Sequence, residues 1–185
     1  MFKKIVALSI SILYTIFLCL AILFIFRPLM ISAQSVQIVN KQVEDAILKE
    51  DWPQLSKLLH SVSSESPSPE IRLIKGHATL ALNRNNESFR LFSSVTSEQD
   101  LLKWKNWTEN FAKQHQNNTI GHYLLGDALS RLKQFDDAVK SFNRALELHS
   151  NHALILNARG GAFAANGQLD HALLDFVKAT QVNPS

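Results

Sequence analysis

Hydrophobic positions follow two different rules along this chain. From Ile5 to Phe26 they run on unbroken by any charge, proline or glycine (IVALSISILYTIFLCLAILFIF). Further on they recur every three or four residues, the mark of amphipathic helices. Ala46, Ile47 and Leu48 precede the turn Lys49-Glu50-Asp51-Trp52-Pro53, and Leu55, Leu58 and Leu59 follow it. Trp104, Trp107 and Phe111 fall at i, i+3 and i+7, one face of a helix. The first 22 apolar positions would extend about 33 Å as a helix, enough for a hydrocarbon core of about 30 Å. They predict a transmembrane helix over 5–26, with a linker over 27–34. A secretory signal peptide is the rival reading, with Ile31-Ser32-Ala33 as a cleavage site before Gln34. Its apolar region normally runs about 7–15 residues, shorter than this one.

The periodic part repeats itself. A shift of 34 aligns Gly126 with Gly160, Gln134 with Gln168, Asp136 with Asp170, Ala138 with Ala172, Phe142 with Phe176 and Ala145 with Ala179. The units 119–152 and 153–185 are therefore related copies. Their period and residue types resemble the tetratricopeptide repeat (TPR), whose signature is W-x2-L-G-x2-Y, then A-x3-F, then P. One copy offers His122, Leu125, Gly126, Leu129, Ala138, Phe142 and Ser150; the next offers Leu156, Arg159, Gly160, Phe163, Ala172, Phe176 and Pro184. The missing Trp, and Ser150 in place of proline, depart from the pattern. Small residues such as Gly126 and Ala138 allow two antiparallel helices to approach, and a ring such as Phe142 fills the space beside them. Phe135-Asp136-Asp137 reads as a turn and N-cap, and Asn166-Gly167 as the matching turn.

Upstream, the same step recovers fainter units. Residues 69–102 keep Gly76 and Phe92, with Ser88 in the alanine slot and Asn85-Asn86 at the turn; 35–68 keep only the hydrophobic pattern. Residues 103–118 break the step and predict an inserted helix. The expected fold is an all-α TPR-type superhelix of about four helical hairpins plus one inserted helix, behind a single N-terminal transmembrane helix. No capping helix follows Gln181-Val182-Asn183-Pro184-Ser185, so Leu173, Leu174 and Val177 are expected to form an exposed end interface, open to self-association or to a partner that stacks there.

The resemblance also implies where binding occurs: on the concave face, built from the first helix of each unit. Alignment places His77, Tyr123, Asp127, Ser130, Arg131, Asn157 and Gly161 there. Family members that grip acidic chaperone tails use Lys, Asn and Arg in the clamp slots. Here those slots read Leu73/His77, Tyr123/Asp127 and Asn157/Gly161, so that ligand is not expected. Trp104 and Trp107 have two readings, core packing against a neighbouring unit or aromatic anchors for a partner.

Charge narrows the choice of partner. Of 19 Lys+Arg, three (Lys3, Lys4 and Arg27) flank the apolar span, which leaves 16 against 16 Asp+Glu elsewhere. That balance lacks the clustered positive excess of a nucleic-acid surface. Lys3 and Lys4 ahead of the span keep the N-terminus cytoplasmic by the positive-inside rule, sending the repeats across the membrane, into the periplasm if the source is bacterial. The single cysteine, Cys19, lies inside the span, so no intrachain disulfide can form.

Catalytic signals are meagre. Ser130-Arg131-Leu132-Lys133 has S-x-x-K spacing without its companion motifs, and reads as a solvated helix end. His149 and His152 are spaced i, i+3 with no acidic residue between them to complete a metal site, and read as a polar linker. No enzyme activity, cofactor or metal is expected. The function implied is a membrane-anchored scaffold that binds a protein or peptide in its concave groove. The alternatives are an envelope assembly factor, of the cytochrome c maturation or translocon-associated chaperone type, and the regulatory subunit of an enzyme complex.

Overall fold

Four times among the described residues a helix ends at a residue with positive φ and the chain turns back on itself. Those residues are Glu50 (φ 55°), Asn83 (59°), Lys133 (59°) and Gly167 (77°). Each turn closes with the same backbone hydrogen bond, from the next residue's N–H to the carbonyl five residues earlier. Asp51 N–H reaches Ala46 (2.9 Å), Arg84 reaches Thr79 (2.8 Å), Gln134 reaches Leu129 (2.9 Å) and Gln168 reaches Phe163 (2.8 Å). This is the Schellman closure of a helix C-terminus, which satisfies carbonyls that would otherwise lack partners.

The computed structural model describes residues 41–62 and 68–183. Its helices are α1 (41–48), α2 (Trp52–Val62), α3 (Pro69–Ala81), α4 (Asn85–Ser93), α5 (Glu98–Gln114), α6 (Thr119–Arg131), α7 (Phe135–Leu148), α8 (Ala153–Ala165) and α9 (Leu169–Val182). The four turns make hairpins of α1 with α2, α3 with α4, α6 with α7 and α8 with α9. The unpaired α5 lies against α3 and α6. No strand occurs among the described residues. The expected transmembrane helix 5–26 and linker 27–34 lie outside them. Among the described residues, no helix is long and apolar enough to cross a membrane.

Short polar side chains start several of these helices by accepting from an N–H that has no partner within the helix. Asp51 Oδ1 accepts from Gln54 N–H (3.0 Å), Ser97 Oγ from Asp100 N–H (3.1 Å) and Asn118 Oδ1 from Gly121 N–H (2.8 Å). Two expectations are corrected by these boundaries. The inserted helix begins at Glu98 rather than 103, because Ser97 caps it there. Asp136 and Asp137 do not cap α7: Gln134 holds the cap position without a side-chain bond, and both acids sit in the first turn, where the helix dipole still favours them.

Inside three hairpins, a glycine on the first helix lies beneath a phenylalanine ring on the second. The pairs are Gly76 with Phe92, Gly126 with Phe142 and Gly160 with Phe176. Ser88, Ala138 and Ala172, one turn before each ring, are buried, as small side chains must be at so close a crossing. Beyond the hairpins, Asn118 Nδ2 donates to the Leu48 carbonyl (3.3 Å) and His115 Nε2 pairs with Glu44 Oε1 (2.8 Å). The end of α1 thus meets the α5–α6 junction, and Val43–Ser185 forms one compact unit.

Candidate functional site

Tyr123, Asp127 and Arg131 are spaced i, i+4, i+8 and so line one face of α6. On this face Asp127 Oδ2 collects three donors: Arg131 Nε (2.7 Å), His77 Nε2 (3.1 Å) and Trp104 Nε1 (3.4 Å). An ionised carboxylate only accepts, so His77 donates through Nε2; its Nδ1 shares a hydrogen bond of 3.0 Å with the Tyr123 hydroxyl. The Arg131 guanidinium lies over the Phe92 ring, 4.4 Å from its centroid.

Burial alone would push the Asp127 carboxyl up. The charges of Arg131 and His77, and the hydrogen bonds from both, outweigh it and hold Asp127 well below the usual carboxylate range. Burial, and next the charge of Asp127, push the Tyr123 hydroxyl far above its ordinary value, so it stays protonated. For Arg131, burial opposes the charged form, but the carboxylate beside it raises its pKa further.

This arrangement corrects part of the expected groove. His77 (1% exposed) and Tyr123 (2%) are core residues, not surface residues. Trp104 of α5 stacks on His77 at 6.2 Å, and the His77 and Phe142 rings lie against Tyr123 at 5.2 and 6.2 Å. Trp104 is itself fully buried and cannot be an exposed anchor, while Trp107 is half-buried and stacks on it at 5.3 Å.

The rest of the face stays accessible. A recess of about 330 Å³ is lined by Asp127, Ser130 and Arg131 of α6, Phe135 and Phe142 of α7, and Ala158, Gly161, Ala162 and Ala165 of α8. Ser130 Oγ is buried and has no hydrogen-bond partner among the described residues. Gly161 is exposed, and a Cβ added there would meet nothing within 4 Å. Asn157 lies apart from this recess. It lines a second cleft, of about 420 Å³, with Trp52, His152 and Asn183.

Leu173 (62% exposed), Leu174 (68%) and Val177 (48%) form an open apolar face on α9, joined by Leu169 (67%). One pairing had not been anticipated. Arg159 grips Asp175 through two bonds (2.7 and 2.6 Å) and donates to Asn143 Oδ1 (2.6 Å), tying α7, α8 and α9 together. The sequence carried a signal for it: the shift of 34 sets Arg159 on Leu125 and Asp175 on Ser141, two departures that face each other.

The tetratricopeptide repeat family model matches residues 120–152. Peptidyl-prolyl cis-trans isomerase FKBP4 of Rattus norvegicus is 26% identical over 135 residues, which is 70% of this chain and 29% of the relative. The Mus musculus protein of the same name is 33% identical over 90 residues, 46% of this chain and 20% of the relative. The chain thus spans under a third of the curated relatives it matches. Among solved structures, MamA (AMB-1, P212121) is similar with a TM-score of 0.41 and 20% identity, covering 79% of this chain and 98% of that one. YrrB, described as a TPR protein with an unusual peptide-binding site, has a TM-score of 0.42 and 15% identity, covering 76% and 64%. The described residues form an all-helical chain of antiparallel hairpins, and 120–152 carry the repeat that the family model recognises.

Proposed function

We propose that the chain is a protein–protein interaction scaffold that holds a peptide segment of its partner in the recess between α6 and α8. The observation that carries this reading is Ser130 Oγ, a buried hydroxyl with no partner, lining a recess. Leaving such a group unpaired costs about 1–3 kcal/mol, which a main-chain amide or carbonyl of a bound segment would relieve. Arg131 is held in place by Asp127 and supplies positive charge at the rim, while Phe135, Ala158 and Ala165 offer apolar contact.

Residues 5–26 supply the proposed membrane tether, with the N-terminus cytoplasmic and the hairpins across the membrane; a C-terminal reporter active only in the cytoplasm would reverse that orientation. The open face of α9 is a second contact surface, for a stacking partner or another copy. This reading gives the chain no catalysis of its own; isomerase activity belongs to relatives of which it spans less than a third. An envelope assembly factor and a regulatory subunit are narrower versions of the same role, and the identity of the partner separates them. Placing a photo-crosslinking residue at Gly161, with a second at exposed Lys140 on α7 as control, tests the site. Adducts specific to Gly161 support the recess; equal labelling from both positions counts against it.

A further inference from the structure

Glu50 lies far in sequence from His149 and His152 but meets them at one place in the fold. Glu50 occupies the turn after α1, His149 ends α7, and His152 precedes α8. Their candidate ligand atoms all lie within 4.8 Å of one another. His152 Nε2 is 3.7 Å from Glu50 Oε2, and the two imidazoles meet edge-on at 5.2 Å. The His152 side chain is only 16% exposed, whereas His149 lies on the surface, so the cluster is walled on one side and open on the other.

We propose that Glu50, His149 and His152 form a site for a divalent transition-metal ion of the zinc type, which fastens the turn after α1 to the α7–α8 linker. The acidic ligand that the linker itself lacks is delivered by the first hairpin.

Backbone hydrogen bonds fix all three positions. Glu50 N–H donates to Ile47 (3.1 Å) and its carbonyl accepts from Trp52 (2.9 Å). His149 N–H donates to Ala145 (3.0 Å), and the His152 carbonyl accepts from Ile155 (3.1 Å) and Leu156 (3.0 Å). Two imidazoles and one carboxylate suit zinc and its neighbours, whereas magnesium and calcium favour all-oxygen sets. Tetrahedral zinc at its usual bond lengths spaces its ligands about 3.3 Å apart. The contraction required is therefore about 1.5 Å at most, which rotation of the exposed His149 side chain can provide. The negative ends of the α1 and α7 dipoles both point at the site and favour a cation, partly offset by the N-terminus of α8. Three protein ligands leave the fourth position to water or to a partner's carboxylate.

The test uses the full chain, without a histidine tag and stripped of metal, titrated with Zn²⁺ by calorimetry and followed by thermal melting, with Mg²⁺ in parallel. One Zn²⁺ bound per chain, a raised Tm and no response to Mg²⁺ are expected. His149→Ala is exposed and keeps its backbone cap, so it folds; it should weaken Zn²⁺ binding by at least about tenfold, since loss of even an outer-sphere partner costs about 10–100-fold. Glu50→Gln should do the same, while His171→Ala on α9 should bind normally. Lack of stoichiometric Zn²⁺, or undiminished binding by His149→Ala, overturns the proposal.

Discussion

Gly126 lies so close beneath Phe142 that a Cβ built on the glycine would sit 2.5 Å from the ring's Cε1. Phe142 is 1% exposed and has nowhere to move. Gly160 and Phe176 repeat the contact at 2.7 Å, but Phe176 is 39% exposed and can swing outward. Gly126→Ala should therefore destabilise the chain by about 1–3 kcal/mol. Gly160→Ala should cost less than Gly126→Ala: a gain in helix propensity of about 1 kcal/mol offsets the displaced ring, and the remaining obstacle is the Ala172 carbonyl oxygen at 3.2 Å. Urea denaturation of the two variants checks the order; equal losses would contradict it.

Those glycine–phenylalanine pairs are why the hairpins were legible in the sequence. A close helix crossing excludes large side chains at one slot and needs a ring at another, so the chemistry repeats at a fixed interval. The turns left less trace. Positive φ falls on Glu50, Asn83, Lys133 and Gly167, and of these only Asn83 and Gly167 are residue types that adopt it readily. A Schellman closure tolerates a non-glycine residue there when helix packing outweighs the local strain. The groove was half legible. Spacing put Tyr123, Asp127 and Arg131 on one face of α6, but spacing cannot tell a solvated face from one roofed by α5. The pairing of Glu50 with His152 depends on how hairpins stack, and no local pattern encodes that.

Asp127 supplies a pH-dependent share of stability. Its folded pKa is depressed, so its contribution is present above the unfolded value of about 3.9 and is lost as pH falls toward the folded one. Asp127→Asn removes the charge facing Arg131, His77 and Trp104. It should cost about 2–4 kcal/mol at neutral pH, less than for a fully buried pair because the side chain is 17% exposed. The gap to wild type should narrow as pH drops below about 4. Denaturation curves from neutral pH to about pH 3 measure it; a gap that stays constant would show that the carboxylate charge is not the source.

Arg159 and Asp175 should behave as a unit. Asp175 is 5% exposed, so Arg159→Leu strands a buried carboxylate and should cost about 3–5 kcal/mol. Asp175→Ser also destabilises. The double variant, which restores the residue types of the preceding unit, should lose less than the two single losses summed, by a coupling of about 1–3 kcal/mol in a double-mutant cycle. Simple additivity would mean that the pair is not coupled.

The open face of α9 predicts association. Light scattering on wild type should show mass rising with concentration, and Leu173→Glu/Val177→Glu should return the chain to a monomer. Both samples remaining monomeric at all concentrations would rule out self-association through this face.

The recess between α6 and α8 is tested most directly at Gly161. Nothing lies within 4 Å of a Cβ placed there, so Gly161→Arg fills the opening without touching the core, and helix propensity favours the change by about 1 kcal/mol. Peptides selected from a displayed library on the wild-type chain are then titrated into both proteins by calorimetry. The account predicts an unchanged or higher Tm together with a loss of affinity of at least about tenfold, or about 1.4 kcal/mol. Selected peptides that bind Gly161→Arg as tightly as wild type would contradict it.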